Sequence, residues 1–284
     1  MRRTAMFALM LLVIGCLTTV QAATPDFYGF GSMRVESGDS LDYQWDWARF
    51  GVKAHPYSDV LHDSLLVRLE YDVLSSQMKY AYAQWDKKFG YNQFSIMVGQ
   101  FLNPVQRLYP GPSSIPMPRW PVMQKHFSVY CPGISLEYQN EVITTQVAHF
   151  GEDQWATYME CGILYAAWEQ DVGYSMMLKV EYEVGSITAG LTKYEHPLED
   201  EHSYDNNDDV RFSLGCSFVP IRPLKTLRFH YHTDLGAQEI YTLMGLNWAY
   251  GQNSSIELFC DSDFSHDEGY HDVKWTSRLT FYFE

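Results

Sequence analysis

Most of the chain consists of short segments in which apolar and polar residues alternate. In the last segment Val273, Trp275 and Leu279 fall on one face, while Lys274 and Arg278 fall on the other. Side chains of a β-strand point alternately to opposite faces, so such a strand has one apolar and one charged face. Fifteen segments of this kind can be counted, at 26–36, 41–55, 61–73, 77–88, 93–101, 126–138, 142–151, 158–169, 173–183, 186–195, 209–219, 224–234, 239–250, 254–263 and 272–283.

The order of these segments predicts an all-β fold, because turn residues join them and no segment of helical period interrupts them. A strand of about 10 residues, tilted about 40°, rises roughly 25 Å, which is the height of the apolar band of an outer-membrane barrel. We therefore expect a closed antiparallel transmembrane β-barrel with short periplasmic turns. A soluble two-sheet sandwich is the alternative, although fifteen strands with one charged face would leave it little core.

The number of strands is open at this stage, because bacterial single-chain barrels have an even number. An additional strand near 119–130 would give sixteen, and merging 173–195 into one strand would give fourteen. Sixteen is favoured because Val184-Gly185-Ser186 is typical of a hairpin turn.

Composition agrees with this fold and excludes other classes. Aromatic residues make up 16% of the chain and charged residues 19%, with a formal net charge of −15. The chain is too apolar for a disordered protein, and its acid excess argues against binding to nucleic acid, which requires a basic surface. Bulky aromatic residues near strand ends are typical of the girdles of a membrane barrel.

The N-terminus has the pattern of an export signal: two arginines, an apolar run at 5–17, and Val20-Gln21-Ala22 before the expected cleavage. The apolar run is too short to span a bilayer, which needs about 20 residues. We expect a signal peptide at 1–22, a single barrel domain at 23–284, and export to the bacterial outer membrane. In the alternative cleavage, Cys16 would be lipidated. Removal of 1–22 leaves 18 bases, 35 acids and a net charge of −17.

One stretch of about 60 residues carries a set of short motifs. These read ARFGV at 48–52, RLEYD at 68–72, AYAQW at 81–85 and VGQFLNPV at 98–105. Together they resemble the phosphate-selective porin O and P family. The resemblance implies a 16-stranded outer-membrane channel, usually trimeric, with an inward-folded loop after the fifth strand. Leu102 and Asn103 replace the basic and acidic residues of the family motif, and acids outnumber bases, so phosphate selectivity is not carried over.

The longest connection, 102–125, follows the fifth predicted strand. It contains six prolines, which disfavour a regular element, and it contains bases but no acid. We predict that it constricts the pore; an ordinary external loop is the alternative. The candidate constriction residues are Arg107, Tyr109, Arg119 and Lys125.

The charged faces of the strands predict a water-filled lumen through which solutes pass passively, filtered by size and wall charge. His230 and His232 share a face at a spacing that can bind a metal, but no third ligand can be named, so neither a metal site nor a cofactor is predicted. No hydrolase or nucleotide-binding motif is present, so an enzyme is not expected. The candidate pore-lining residues are Arg68, Glu70, Lys179, Arg211, Arg228, His230, Lys274 and Arg278.

The sequence thus predicts an outer-membrane porin of weak selectivity for small hydrophilic solutes and ions. Its expected partners are outer-membrane lipid and lipopolysaccharide, the permeating solutes, and two further copies in a homotrimer. Two alternatives are open: a secreted carbohydrate-binding β-sandwich, and a non-conducting structural or adhesive barrel. The four cysteines of the mature chain can pair in three ways, and we expect Cys216 and Cys260 to be free because they lie on apolar strand faces.

Overall fold

A computed structural model describes residues 25–37, 41–58, 63–108, 129–151, 153–195, 210–220, 227–235, 239–249, 254–265 and 270–283. The predicted signal peptide lies outside these residues. Sixteen strands are formed: β1 Asp26–Ser37, β2 Leu41–Ser58, β3 Asp63–Asp72, β4 Gln77–Phe89, β5 Asn92–Leu102, β6 Tyr130–Gln139, β7 Ile143–Phe150, β8 Gln154–Cys161, β9 Leu164–Glu169, β10 Gly173–Tyr182, β11 Gly185–Tyr194, β12 Val210–Phe218, β13 Leu227–Leu235, β14 Glu239–Ala249, β15 Ser254–Ser265 and β16 Tyr270–Phe283.

The strands close into one antiparallel barrel. Each strand pairs with its neighbours in the chain, and β1 closes the sheet on β16, with Gly31 opposite Phe281. Closure leaves no sheet edge, which a structure surrounded by lipid requires. The prediction of a 16-stranded barrel is therefore confirmed, and the sandwich alternative is wrong. No helix among the described residues is long and apolar enough to cross a membrane.

The additional strand predicted near 119–130 lies largely outside the described residues, and the sixteenth strand comes from another segment. The segment 158–169 was expected to be one strand, but the chain turns at Gly162 and Ile163, so that β8 and β9 form a hairpin. Gly162 has a φ of 59°, the left-handed conformation that a tight turn requires. The apolar neighbours of this glycine and the six-residue length of β9 concealed the turn, although the buried face changes there from even-numbered residues, such as Ala156 and Tyr158, to odd-numbered ones, such as Ala167 and Glu169.

The outer face of the barrel is apolar and carries aromatic residues towards both ends. On β10, for example, Met176 and Leu178 are exposed, whereas Ser175 and Met177 on the opposite face are buried. Aromatic girdles at two levels with aliphatic residues between them are what a bilayer demands of a transmembrane barrel. At the end that holds the chain termini the exposed aromatic residues include Phe27, Trp85, Phe89, Tyr91, Phe94, Tyr182, Phe218 and Trp248, and at the other end they include Trp45, Tyr71, Trp155, Tyr174, Phe212 and Trp275.

The connections differ in length between the two ends. At the end that holds the termini, three turns are only two residues long: β4 to β5, β8 to β9 and β10 to β11. At the other end 27 residues separate β5 from β6 and 15 separate β11 from β12. Short turns beside the termini are typical of the periplasmic end of a bacterial barrel.

The interior has an apolar cluster on one side. Its members include Phe101, Val105, Ala148, Tyr158 and Tyr194, which come from the strand walls and from the segment after β5. That segment therefore turns into the barrel, as the sequence predicted. The described cysteines, at 131, 161, 216 and 260, are all free.

Candidate functional site

The segment that enters the barrel, Asn103–Leu108, is here called the strap. Its Pro104–Arg107 part forms a 3-10 turn that Asn103 caps, because the Asn103 Oδ1 accepts a hydrogen bond of 3.0 Å from the backbone N–H of Val105. The Asn103 Nδ2 also donates to Glu169 Oε2 on β9 at 2.8 Å. Since both groups are buried, this single side chain shapes the strap and attaches it to the wall.

Packing and charge fix the rest of the strap to the same wall. Val105 is completely buried and Leu108 nearly so, within the cluster that contains the small residues Ala148 and Ala156. Further along, the guanidinium of Arg107 forms an ion pair of 2.9 Å with Glu137 on β6. Small residues on the wall give the strap room, and an apolar side chain on the strap fills it.

A second feature of the inner face is a group of charged side chains on β2 and β3, here called the arginine cluster: Arg49, Arg68, Glu70 and Asp72. Glu70 lies at its centre with a fully buried side chain, 3.2 Å from Arg49 Nη1 and 2.7 Å from Arg68 Nη2. Asp72 lies 3.5 Å from Arg49 Nε and accepts hydrogen bonds from the backbone of the β3–β4 turn. A buried carboxylate is tolerated only when it is paired in this way.

Tyrosines surround the arginine cluster and hold its guanidinium groups in place. Tyr28 donates to Glu70 Oε2 at 2.8 Å and accepts from Arg68 Nε at 2.9 Å, while Tyr130 accepts from Arg49 Nη1 at 3.1 Å. The Arg68 guanidinium stacks 3.9 Å from the ring centroid of Tyr80. Polar groups and ring faces together leave these arginines little freedom.

The position of the Tyr28 ring depends on a glycine. A Cβ atom on Gly51, the residue of β2 that pairs with Tyr28, would lie 2.3 Å from the ring. The ring therefore lies across the backbone of β2, where the ammonium group of Lys53 is 4.8 Å from its centroid. Only glycine permits this close approach, which brings the Tyr28 hydroxyl to Glu70.

Comparisons with known proteins agree with this architecture at the level of the fold. No protein-family model matches the sequence, and no curated protein matches it. Among solved structures, OmpT expressed in the outer membrane of Vibrio cholerae is similar with a TM-score of 0.64 and 10% identity, over 93% of this chain and 100% of that chain. A mutant of the Rh. blastica porin is similar with a TM-score of 0.63 and 9% identity, over 92% of this chain and 100% of that chain. The chain has the fold of an outer-membrane porin. Identity this low shows the fold alone, and the resemblance to phosphate-selective porins stays a prediction.

Within this porin fold, the predicted constriction residues are described only in part. Arg107 lies inside the barrel on the strap, as stated above. Tyr109, Arg119 and Lys125 lie outside the described residues. The described start of the loop thus enters the barrel, and the constriction itself stays a prediction.

The predicted pore-lining residues lie on several arcs of the barrel. Six of them, Arg68, Glu70, Lys179, Arg211, Arg228 and His230, lie on the inner face. Lys274 and Arg278 lie in β16, where their backbones pair with Asp261 and Glu257 of β15, and their side chains are outside the described part of the chain. Among these residues Arg68 and Glu70 form an ion pair with each other, and Lys179 forms an ion pair with Glu181.

The two histidines of β13 share the inner face, as the sequence predicted, and both are buried. On the neighbouring strands His230 pairs with Ser217 and Gly245, and His232 pairs with Gly215 and Leu243, so none of the four register partners is a His, Cys, Asp or Glu. Among the described residues, no group of three or more His, Cys, Asp or Glu side chains could hold a metal ion.

Sequence reasoning missed most of the residues that organise the interior. Asn103 stands beside a proline, and Arg49 lies in one of the porin-like motifs, so both could have been singled out. Tyr28 and Tyr130 could not be singled out, since a tyrosine near a strand end is as typical of a membrane girdle as of a polar interior. Glu169 was missed because β9 was not recognised as a separate strand.

Proposed function

We propose that the protein is a passive diffusion channel of the bacterial outer membrane for small hydrophilic solutes and ions. The observation that carries this proposal is a closed barrel with an apolar outer face and a charged inner face, into which the strap folds. Solutes would be filtered by size where the strap and the residues after it narrow the lumen, with Arg107, Tyr109, Arg119 and Lys125 at the constriction. The role is that of a channel and not of an enzyme.

The proposed channel is weakly selective. Several charges on the inner face are paired with a charge of opposite sign, as in Arg107 with Glu137 and Lys179 with Glu181. Paired charges present little net field to a passing ion, and charges further than about 8 Å from it are screened at physiological salt. For the same reason we do not propose phosphate selectivity. Beyond the constriction, we propose that the lumen is lined by the eight pore-lining residues predicted from the sequence.

The proposal includes export by a cleavable signal peptide and insertion among outer-membrane lipid and lipopolysaccharide. It also includes a homotrimer, which is supported by the trimeric form of a similar structure, in-vitro folded OmpT of Vibrio cholerae (TM-score 0.60, 10% identity). The acid excess of the chain argues against nucleic acid as a partner.

Osmotic swelling of liposomes tests the function. Liposomes that contain the refolded protein should swell in small sugars, more slowly in larger sugars, and not at all above a size limit. The control is the same protein unfolded by boiling before reconstitution. Liposomes with folded protein that swell no faster than this control would contradict the channel and favour the non-conducting structural barrel.

A further inference from the structure

The wall that holds the arginine cluster carries more positive than negative charge among its described side chains, because two lysines lie beside the cluster. Four cations lie on β2, β3 and β4: Arg49, Arg68, Lys53 and Lys79. Neither lysine forms an ion pair with a described carboxylate; Lys53 lies over the Tyr28 ring, and Lys79 lies 5.6 Å from the centroid of Tyr130. The charge of this wall therefore depends strongly on the carboxylate at the centre of the arginine cluster.

That carboxylate belongs to Glu70. Its Oε1 accepts from Arg49 and its Oε2 accepts from both Arg68 and Tyr28, so both oxygens are occupied by groups on three different strands. Its side chain is completely buried, and a solute in the lumen therefore cannot contact it. Glu70 can therefore affect permeation only through its negative charge, which offsets one positive charge of the wall, and through the two arginines that it holds in place.

The other carboxylates described near the cluster, Asp72 and Asp26, do not take over this role. Asp72 lies 3.5 Å from Arg49 Nε, and its other carboxylate oxygen accepts a hydrogen bond from the backbone N–H of Leu74 in the β3–β4 turn. Asp26 is the register partner of Lys53 on β1, but it is exposed at the barrel end and forms no ion pair with the lysine. Without Glu70, the described side chains of this wall would be four cations and two peripheral carboxylates.

We propose that Glu70 determines the ion selectivity of the channel by masking an anion-attracting wall formed by Arg49, Lys53, Arg68 and Lys79. This inference rests on the proposed function. In the native protein the masked wall passes cations and anions with little preference. When the carboxylate is neutralised, the wall attracts small anions such as chloride or carboxylates, because the arginines stay in place without their counter-charge.

The test is the reversal potential of Glu70→Gln in planar bilayers under a KCl gradient. Glutamine keeps the shape and one acceptor but removes the charge, so the permeability ratio of chloride to potassium should rise about two- to fivefold, as expected for one charge near a narrow aqueous path. The matched control is Glu181→Gln, which removes an inner carboxylate that is 67% exposed and lies at another arc. The Glu181→Gln control should shift the permeability ratio by less than half as much as Glu70→Gln does.

Two further variants make the outcome decisive if Glu70→Gln does not fold. Arg68→Gln removes one cation from the same group and should shift selectivity towards potassium, whereas Glu70→Asp keeps the charge and should leave the ratio unchanged. An unchanged ratio in Glu70→Gln, or in Arg68→Gln where the first does not fold, would overturn the inference, as would an equal shift in the Glu181→Gln control. A wild-type protein without conductance would instead refute the proposed function and this inference with it.

Discussion

Replacement of Asn103 by alanine should loosen the strap. The substitution removes the hydrogen bond to Glu169, which as a bond to a charged group contributes about 1.5–3 kcal/mol, and the capping bond to Val105, which contributes about 1 kcal/mol. The attachment of the strap is thus weakened by about 3 kcal/mol, which raises the population of the detached strap roughly 100-fold. The buried Val105 and Leu108 still favour the inward position, so we expect brief openings and not a permanent loss.

Single-channel recording should show these openings as added current noise and a larger mean conductance in Asn103→Ala. The matched control is Asn140→Ala. Asn140 also accepts backbone hydrogen bonds in a turn, from Val142 and Ile143, but it lies between β6 and β7, at the opposite end of the barrel from the segment after β5. If Asn103→Ala matched the wild type in mean conductance and noise, the strap would not narrow the conducting path.

Two other predictions concern the faces of the barrel and the charge of the strap. Cysteines introduced at Trp275 and Thr276 should differ, because Trp275 is 54% exposed on the outer face and Thr276 is buried on the inner face; a lipid-soluble maleimide should label only position 275, and equal labelling would contradict the register of β16. Arg107→Glu together with Arg119→Glu should move the reversal potential towards cation selectivity, because Arg107→Glu replaces the partner of Glu137 by a second acid. An unchanged reversal potential would show that the loop does not line the constriction.

The barrel could be predicted from local patterns because the alternation of apolar and polar residues identifies the two faces of each strand. In β16 the residues Val273, Trp275 and Thr276 lie on the faces that the pattern indicated. The method failed at Gly162, where two short strands meet at a turn with apolar neighbours. The apolar outer face shifts there from the odd-numbered residues of β8 to the even-numbered residues of β9, and this change of phase was the signal of a hairpin that the count of segments overlooked.

The interior was much less predictable because it depends on register between strands. Glu70 and Arg68 are two residues apart, and their shared face follows from the pattern alone. Tyr28 is 42 residues from Glu70, and the two meet only because β1, β2 and β3 pair in one particular register. Proline content indicated that the segment after β5 is irregular, but the resemblance to porins, and not the composition, predicted that it folds inward.

Planar-bilayer recording of the purified, refolded wild-type protein tests the central claim most directly. The account predicts discrete conductance steps, with a reversal potential close to zero in a KCl gradient, from protein whose barrel is shown to be folded by heat-modifiable migration on a gel. Folded barrel that inserts into the bilayer and gives no conductance steps would contradict the account.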